Sequence, residues 1–336
     1  MRIFSGIQPT GAKTFGNYSG GFRQYAATQE LGEAFFCIVD LHSITVEYDP
    51  AELRESTFAL AAMLLATGID PDRSTVFVQS HNPDHAQAAW LLESVAAFGE
   101  LRRMTQFKDK SAAHEFVSSG LFTYPVLMAG DILLYQTDLV PIGDDQRQHL
   151  ELARGVAQRF NQRFGETFTV PRGFYPEAGG RIMDLTDPEK KMSTSTSPDM
   201  GKILMVDPPD LIRKKVMSAV TDTGREVRRA PDKPGISNLI EIMSVATSRP
   251  PEAIEHEYDG QGYGRFKADV AEAVTACLTP IRRRYEELRA DQGELERLLA
   301  EGARRSLAVS GPTLETMYDR MGFASRRPAA RVAGRT

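Results

Sequence analysis

Two lysines stand immediately before a run of hydroxyl side chains in the sequence. Lys190 and Lys191 lead into residues 192–198, Met-Ser-Thr-Ser-Thr-Ser-Pro. Ammonium groups and small hydroxyl donors suit the negative oxygens of a polyphosphate, because charge-assisted hydrogen bonds are the strong ones. The same composition is typical of a solvent-exposed linker. The segment therefore predicts either a phosphate-binding loop or a simple connection.

Two further side chains that could take part in binding or catalysis stand in apolar surroundings. Asp131 lies within the apolar helical pattern of residues 124–135, where a buried carboxylate is costly unless a donor meets it. Either an Arg or Lys pairs with it, or the donor arrives with a ligand. His42 follows the apolar run 34–40, and ligands gather beyond the carboxyl ends of parallel strands. His42 is thus either a site residue or a satisfied core histidine.

Three segments carry groups that suit a nucleotide. Residues 2–7 predict a buried strand, and the glycine-bearing loop 8–17 leads from it into a helix, whose N-terminus would favour phosphate. Residues 143–146, Gly-Asp-Asp-Gln, follow the short strand 139–142 and suit ribose hydroxyls, an ammonium group or helix capping. Lys110, in a basic segment, either approaches phosphate or lies on a solvated helix face.

These candidates must be positioned by an α/β fold. Apolar runs that predict strands alternate with helical patterns in the first half, and helical patterns alone follow the Lys191 segment. Residues 260–264, Gly-Gln-Gly-Tyr-Gly, imitate a dinucleotide loop but follow a polar segment, so they predict a turn between helices. We expect a parallel sheet followed by an all-helical region.

Composition narrows the function classes. The chain has 336 residues and a formal net charge of -5. This charge argues against a protein that binds its partner mainly through positive charge spread over its whole surface. Cys37 and Cys277 stand far apart without a Cys/His pattern, so no metal site is predicted. No secretory signal and no run of about 18 apolar residues occurs. We expect a soluble, cytoplasmic protein without a membrane segment.

Five segments in register resemble the bacterial tryptophanyl-tRNA synthetases. They are residues 6–11 (Gly-Ile-Gln-Pro-Thr-Gly), 14–17 (Thr-Phe-Gly-Asn), 128–133 (Met-Ala-Gly-Asp-Ile-Leu), 143–146 and 191–195 (Lys-Met-Ser-Thr-Ser). The resemblance implies an α/β class I synthetase whose catalytic domain has a Rossmann-like parallel sheet, with a C-terminal all-helical anticodon-binding domain. It also implies a homodimer.

The resemblance divides the chain into five parts. They are a Rossmann-like catalytic domain with a helical insertion (1–190), a mobile signature loop (191–198), a helical anticodon-binding domain (199–292), C-terminal helices that can pack back on the catalytic domain (293–325) and a disordered tail (326–336). The implied reaction is tryptophan–tRNA ligation, with L-tryptophan, ATP, Mg²⁺ and the tryptophan tRNA as reactants.

The resemblance also assigns site residues by position. Those implied for ATP are Gln8, Pro9, Thr10, Gly16, Asn17, Gly143, Asp144, Asp145, Ile182, Lys191, Met192, Ser193, Thr194 and Ser195. Those implied for tryptophan are Asp131, which would accept the indole N–H, with Phe4, His42, Tyr124, Met128, Val140, Ile142 and Gln146. Those implied for catalysis by alignment and charge neutralisation are Gln8, Thr14, Asn17, Lys110 and Lys191.

One residue departs from the family pattern. The second signature of the family usually has a lysine where this chain has Thr194. The departure predicts slower amino-acid activation, which Thr194→Lys should raise without changing tryptophan affinity. It also keeps two alternatives open, namely a non-catalytic or regulatory synthetase-like RNA-binding protein and a tyrosine-specific synthetase.

Overall fold

A five-stranded, wholly parallel sheet forms the centre of this computed structural model, which describes residues 1–105, 107, 117–143, 146–175 and 181–324. The strand order is β3-β2-β1-β4-β5. The strands are β1 Arg2–Ile7, β2 Glu33–Ile38, β3 Thr75–Val78, β4 Leu139–Pro141 and β5 Arg172–Phe174. The α/β, Rossmann-like fold class is confirmed. Only β5 was missed, because three residues of Arg-Gly-Phe carry no strand pattern.

Helices cover both faces of the sheet and make up the C-terminal part of the described chain. They are α1 Phe15–Asn17, α2 Arg23–Thr28, α3 Pro50–Ala66, α4 Asp84–Glu93, α5 Phe98–Arg102, α6 Ser119–Leu133, α7 Arg147–Phe164, α8 Pro209–Ser218, α9 Pro234–Thr247, α10 Pro251–Glu257, α11 Tyr263–Ala290 and α12 Gln292–Met321. None of those described has both the length and the apolarity needed to cross a membrane.

Strand β2 is apolar along its length because it is buried on both faces. Ala34, Phe36 and Ile38 face one apolar cluster, which also contains the inner side of α3. Phe35 and Cys37 face a second cluster, formed with α4, α6 and α7. Side chains on the two faces of β2 therefore pack against helices on opposite sides of the sheet.

The last described helix, α12, packs back against strand β3 of the sheet. Gly302 of α12 lies so close to β3 that a Cβ there would stand 1.8 Å from the carbonyl oxygen of Val76. Helix α12 continues to Met321, past Pro312, because Leu314 and Met317 are buried in the second apolar cluster. As predicted, the Gly260–Gly264 segment joins α10 to α11 and has positive φ angles, +73° at Gly260 and +74° at Gly262.

The strand order places a crevice between β1 and β4. Chain connections leave β1 toward β2 on one side, whereas β4 lies on its other side, so the order of strands reverses there. In open α/β sheets ligands bind beyond the carboxyl ends of the strands at such a reversal. The candidate site is therefore expected above β1 and β4.

Candidate active site

A cavity of about 440 Å³ opens beyond the carboxyl ends of β1 and β4. All eight residues predicted for tryptophan line it: Phe4, His42, Tyr124, Met128, Asp131, Val140, Ile142 and Gln146. Three residues predicted for ATP, namely Gln8, Thr10 and Gly143, line it as well. The fold thus brings together positions from β1, β4, α6 and the 3₁₀ turn Asp40–Thr45.

Asp131 is the buried acceptor of this cavity, with 1% of its surface exposed. One carboxylate oxygen, Oδ1, accepts from Gln79 Nε2 at 2.6 Å and from His85 Nδ1 at 2.7 Å. The other oxygen, Oδ2, lies 2.9 Å from His42 Nε2. Of the two alternatives for Asp131, an Arg or Lys partner is not found among the described residues, where two imidazoles and an amide stabilise the carboxylate.

The charge of Asp131 persists despite its burial. Burial by itself would raise the pKa of Asp131, but hydrogen bonds from His42 and His85 outweigh it and lower that pKa to about 2. A carboxylate can only accept hydrogen bonds, so each facing ring nitrogen carries a proton. Oδ1 has two donors and Oδ2 has one, which leaves accepting capacity at Oδ2, on the cavity side.

A buried chain of hydrogen bonds connects His85 to α12. His85 Nε2 lies 2.8 Å from the hydroxyl of Tyr135, which also accepts from Asn82 Nδ2 at 3.2 Å. The same amide donates to the hydroxyls of Ser306 and Ser310, each at 3.1 Å. The carboxylate that faces the cavity is thereby tied to the C-terminal helix.

Sequence reasoning missed Gln79 and His85. Gln79 directly follows β3, so the rule that drew attention to His42, a polar residue at the carboxyl end of a strand, would have found it. His85 lies at the start of α4, fully buried, and its sequence neighbours give no comparable signal.

Tyr124 also lines the cavity, with its ring 6.1 Å from the ring of His42, and its hydroxyl lies 2.7 Å from His149 Nε2. Burial raises the pKa of Tyr124 to about 12, so the phenol stays neutral. Gln146 and Gln8 line the same space, and Gln8 Nε2 donates to Ser43 Oγ at 3.4 Å. This side of the cavity offers neutral polar groups.

Residues 14–17, which stand where class I synthetases have their first signature, form the start of α1. Thr14 and Asn17 make a capping box, in which Thr14 N donates to Asn17 Oδ1 at 2.8 Å and Asn17 N donates to Thr14 Oγ1 at 3.3 Å. A Cβ on Gly16 would lie 3.7 Å from Met192, so the two signatures are neighbours. Pro9 is buried at the preceding turn.

Residues 191–198, the Lys191 loop, form hydrogen bonds among their own hydroxyl and amide groups. Ser193 N donates to Ser197 Oγ at 3.0 Å, and the hydroxyls of Ser193 and Ser195 lie 3.5 Å apart. Thr194 Oγ1 donates to Ala12 O at 2.9 Å, which docks the loop against the turn before the first signature. The Lys191 side chain is exposed.

Ile182 and Met192, which the resemblance implies for ATP on either side of adenine, are core residues here. Ile182 and Met192 are 1% and 4% exposed, and both belong to the first apolar cluster. The main chain joins them, since Met192 N donates to Ile182 O at 3.1 Å. Their side chains do not line the cavity, so adenine contact at these positions stays a prediction.

Three predicted residues lie outside the described residues, namely Lys110, Asp144 and Asp145, and so does the predicted tail 326–336. In the described part of the chain, no group of three His, Cys, Asp or Glu side chains stands close enough together to hold a metal ion.

The comparisons with known proteins agree with this geometry. A family model described as class I tRNA synthetases (W and Y) matches residues 1–279. Tryptophan–tRNA ligase 2 of Streptomyces avermitilis is 52% identical over 326 residues, 96% of this chain and 97% of the relative. Tryptophan–tRNA ligase of Bacillus subtilis is 50% identical over 326 residues, 97% and 98% of the two chains.

Solved structures give the same result. Tryptophanyl-tRNA synthetase from Mycoplasma pneumoniae superposes with a TM-score of 0.84 at 36% identity, covering 97% of this chain and 98% of that one. The Campylobacter jejuni enzyme, in a complex with ADP and tryptophan, superposes with a TM-score of 0.84 at 32% identity, covering 96% and 100%. The chain belongs to the class I tRNA synthetases of the tryptophan and tyrosine family.

Proposed function

We propose that this chain is a tryptophan–tRNA ligase, which activates L-tryptophan with ATP and transfers it to the terminal ribose of its tRNA. One observation carries the choice of amino acid. The cavity has apolar walls from Phe4, Met128, Val140 and Ile142, and Asp131 is the one buried carboxylate among the described residues that line it. Indole has one N–H donor and no acceptor, so one acceptor in an apolar space matches it.

Binding of the two substrates follows from the same cavity. The indole N–H donates to Asp131 Oδ2, while Tyr124 and Gln146 hold the ammonium group at the polar wall. ATP binds across the first signature, with Gln8, Thr10, Gly16 and Asn17 against its phosphates and Gly143 near its ribose. Asp144 and Asp145 remain proposals for the ribose hydroxyls.

Mg²⁺ enters this reaction as part of the substrate. The described residues offer no carboxylate cluster for a resident ion, whereas phosphate oxygens are the ligands that Mg²⁺ prefers. Mg²⁺ would therefore arrive bound to the phosphates of ATP.

The first reaction needs alignment rather than a side-chain nucleophile. The tryptophan carboxylate is already ionised, and its oxygen forms a bond to the α-phosphorus while the bond to the bridging oxygen breaks. Negative charge then accumulates on the departing pyrophosphate, which Lys191 and Lys110 neutralise. Thr14, Asn17 and Gln8 fix the α-phosphate geometry.

The second reaction transfers the tryptophanyl group to a ribose hydroxyl of the tRNA and releases AMP. The helical region after the Lys191 loop is our candidate for the anticodon contact. Because ATP and tRNA are cytoplasmic, the proposal places the chain in the cytoplasm.

Amino-acid-dependent exchange of pyrophosphate into ATP tests this function. We expect exchange with tryptophan and little with tyrosine, because a phenol does not place its hydroxyl where the indole N–H lies. Exchange with tyrosine alone would indicate the tyrosine-specific alternative. Absence of exchange with every amino acid would instead support the non-catalytic, RNA-binding alternative.

A homodimer is part of the proposal. Trp90 and Phe98 are 74% and 68% exposed, and Trp90 lines a shallow apolar cavity of about 380 Å³ with Ile44 and Leu127. Tyr124 lines both this cavity and the tryptophan cavity. A second copy that covers this surface would bury the exposed aromatic rings and adjoin the site.

Light scattering tests the dimer. Trp90→Glu places a charge in the apolar surface and should shift the chain from dimer to monomer at micromolar concentration, whereas Trp90→Phe should not. A monomeric unsubstituted chain would contradict this part of the proposal.

A further inference from the structure

Lys13 is a partly buried lysine whose ammonium group, among the described residues, has two carbonyl oxygens as its partners. Its Nζ donates to Thr10 O at 2.5 Å and to Gln8 O at 3.4 Å. No carboxylate among the described residues pairs with it. Burial lowers the pKa of Lys13 to about 8, so the group is still mostly protonated at neutral pH. A desolvated cation without a counterion indicates a place for an anion.

The main chain fixes Lys13 to the base of the Lys191 loop. Lys13 O accepts from Met205 N at 2.9 Å, and Phe15 N donates to Ile203 O at 2.8 Å. Thr14 forms a bridge with Leu204 between these bonds. Residues 203–205, which follow the Lys191 loop, are thus held against residues 13–15.

Thr194 lies beside the same turn. Its hydroxyl donates to Ala12 O, the residue before Lys13. A Cβ added to Gly11 would stand 2.8 Å from Thr194 Cγ2. The side chain at position 194 therefore lies against Gly11 and Ala12, the two residues before Lys13. The two carbonyl partners of Lys13 belong to residues that line the active-site cavity.

The neighbouring lysines have other partners. Lys190 is exposed and pairs with Asp187 at 2.7 Å. Lys202 donates to Thr194 O at 2.8 Å and lies 3.7 Å from Asp199. Lys190 is thus engaged by a carboxylate and Lys202 holds the loop backbone, so neither substitutes for a cation at position 194.

We propose, on the basis of the function proposed above, that Lys13 supplies the cation that position 194 lacks. When ATP binds, the Lys13 ammonium exchanges its carbonyl partners for oxygens of the β- and γ-phosphates. As the bond between the α-phosphorus and the bridging oxygen breaks, the electron pair moves to the pyrophosphate, and Lys13 neutralises part of that charge. Lys13 stays protonated throughout, so no proton transfer is involved.

A rescue experiment tests this role. Lys13→Met should lower the rate of tryptophan-dependent exchange of pyrophosphate roughly 10- to 100-fold, the effect expected for losing a charge-assisted hydrogen bond. The KM for tryptophan should stay unchanged. Adding Thr194→Lys to Lys13→Met should restore most of the exchange rate. Thr194→Lys should also increase the rate by a larger factor in the Lys13→Met chain than in the unsubstituted chain. Lys214→Met is the control, since it removes an exposed lysine of α8 that does not line the active-site cavity, and its rate should change less than twofold.

The outcomes separate the two proposals. A full rate for Lys13→Met overturns the role of Lys13, and so does a loss that Thr194→Lys fails to restore, because Lys13 would then act on local structure. Thermal unfolding of each variant identifies a misfolded chain. If Lys13→Met misfolds, Lys13→Arg takes its place, and we expect this variant to retain pyrophosphate exchange. Loss of exchange in a folded Lys13→Arg chain would overturn the role of Lys13. Absence of exchange in the unsubstituted chain would overturn the proposed function itself.

Discussion

Replacing Asp131 by asparagine is the most direct perturbation of amino-acid recognition. The substitution keeps the size of the side chain but replaces one acceptor oxygen by an NH₂ donor. Oδ1 faces two donors, from Gln79 and His85, so the remaining oxygen of the asparagine should occupy that side. Its NH₂ group then points toward the cavity and meets the indole N–H, donor against donor.

The magnitude follows from the lost hydrogen bond. A hydrogen bond to a charged group contributes about 2 kcal/mol, which corresponds to roughly a 30-fold change in an equilibrium constant. We therefore expect kcat/KM for tryptophan to fall roughly 30-fold or more in Asp131→Asn. Because the pKa of Asp131 is about 2 in the native chain, the effect should be the same from pH 6 to pH 8.

The assay compares tryptophan with an analogue in which sulfur replaces the indole N–H. The unsubstituted chain should prefer tryptophan, and Asp131→Asn should lose that preference because the analogue makes no such hydrogen bond. The KM for ATP and the unfolding temperature serve as controls for the rest of the site. Retention of the preference in a folded variant would refute the assignment of Asp131 as the indole acceptor.

Two further perturbations test the support of the site. Asn82→Ala removes the amide that joins Tyr135 to α12. The substitution should raise the KM for tryptophan roughly 5-fold with little change in kcat. A change in kcat alone would contradict this positioning role. Gly302→Ala forces a Cβ to 1.8 Å from Val76 O, and should lower the free energy of unfolding by about 3 kcal/mol, measured by urea denaturation. Gly293→Ala, near the start of the same helix, is its control, and an equal effect there would show that backbone flexibility rather than the close contact is responsible.

Residue patterns predicted the fold class and singled out two residues of the cavity, His42 and Asp131, whereas the other six positions came from the family resemblance. Continuous apolar runs predicted β1 and β2 because strands buried on both faces carry no alternation. His42 was identified by its place after a strand, and Asp131 by its apolar neighbours. These signals are local, since a strand or a buried carboxylate leaves its mark on adjacent residues.

Only the tertiary structure decided which groups meet. The donors to Asp131 lie 89, 52 and 46 residues away in sequence, and no local pattern joins such positions. The burial of Ile182 and Met192, and the docking of Thr194 on Ala12, likewise depend on segments that are distant in sequence and meet in the fold. Sequence spacing shows that a polar group must be satisfied, whereas the partner that satisfies it is fixed by how the sheet and helices pack.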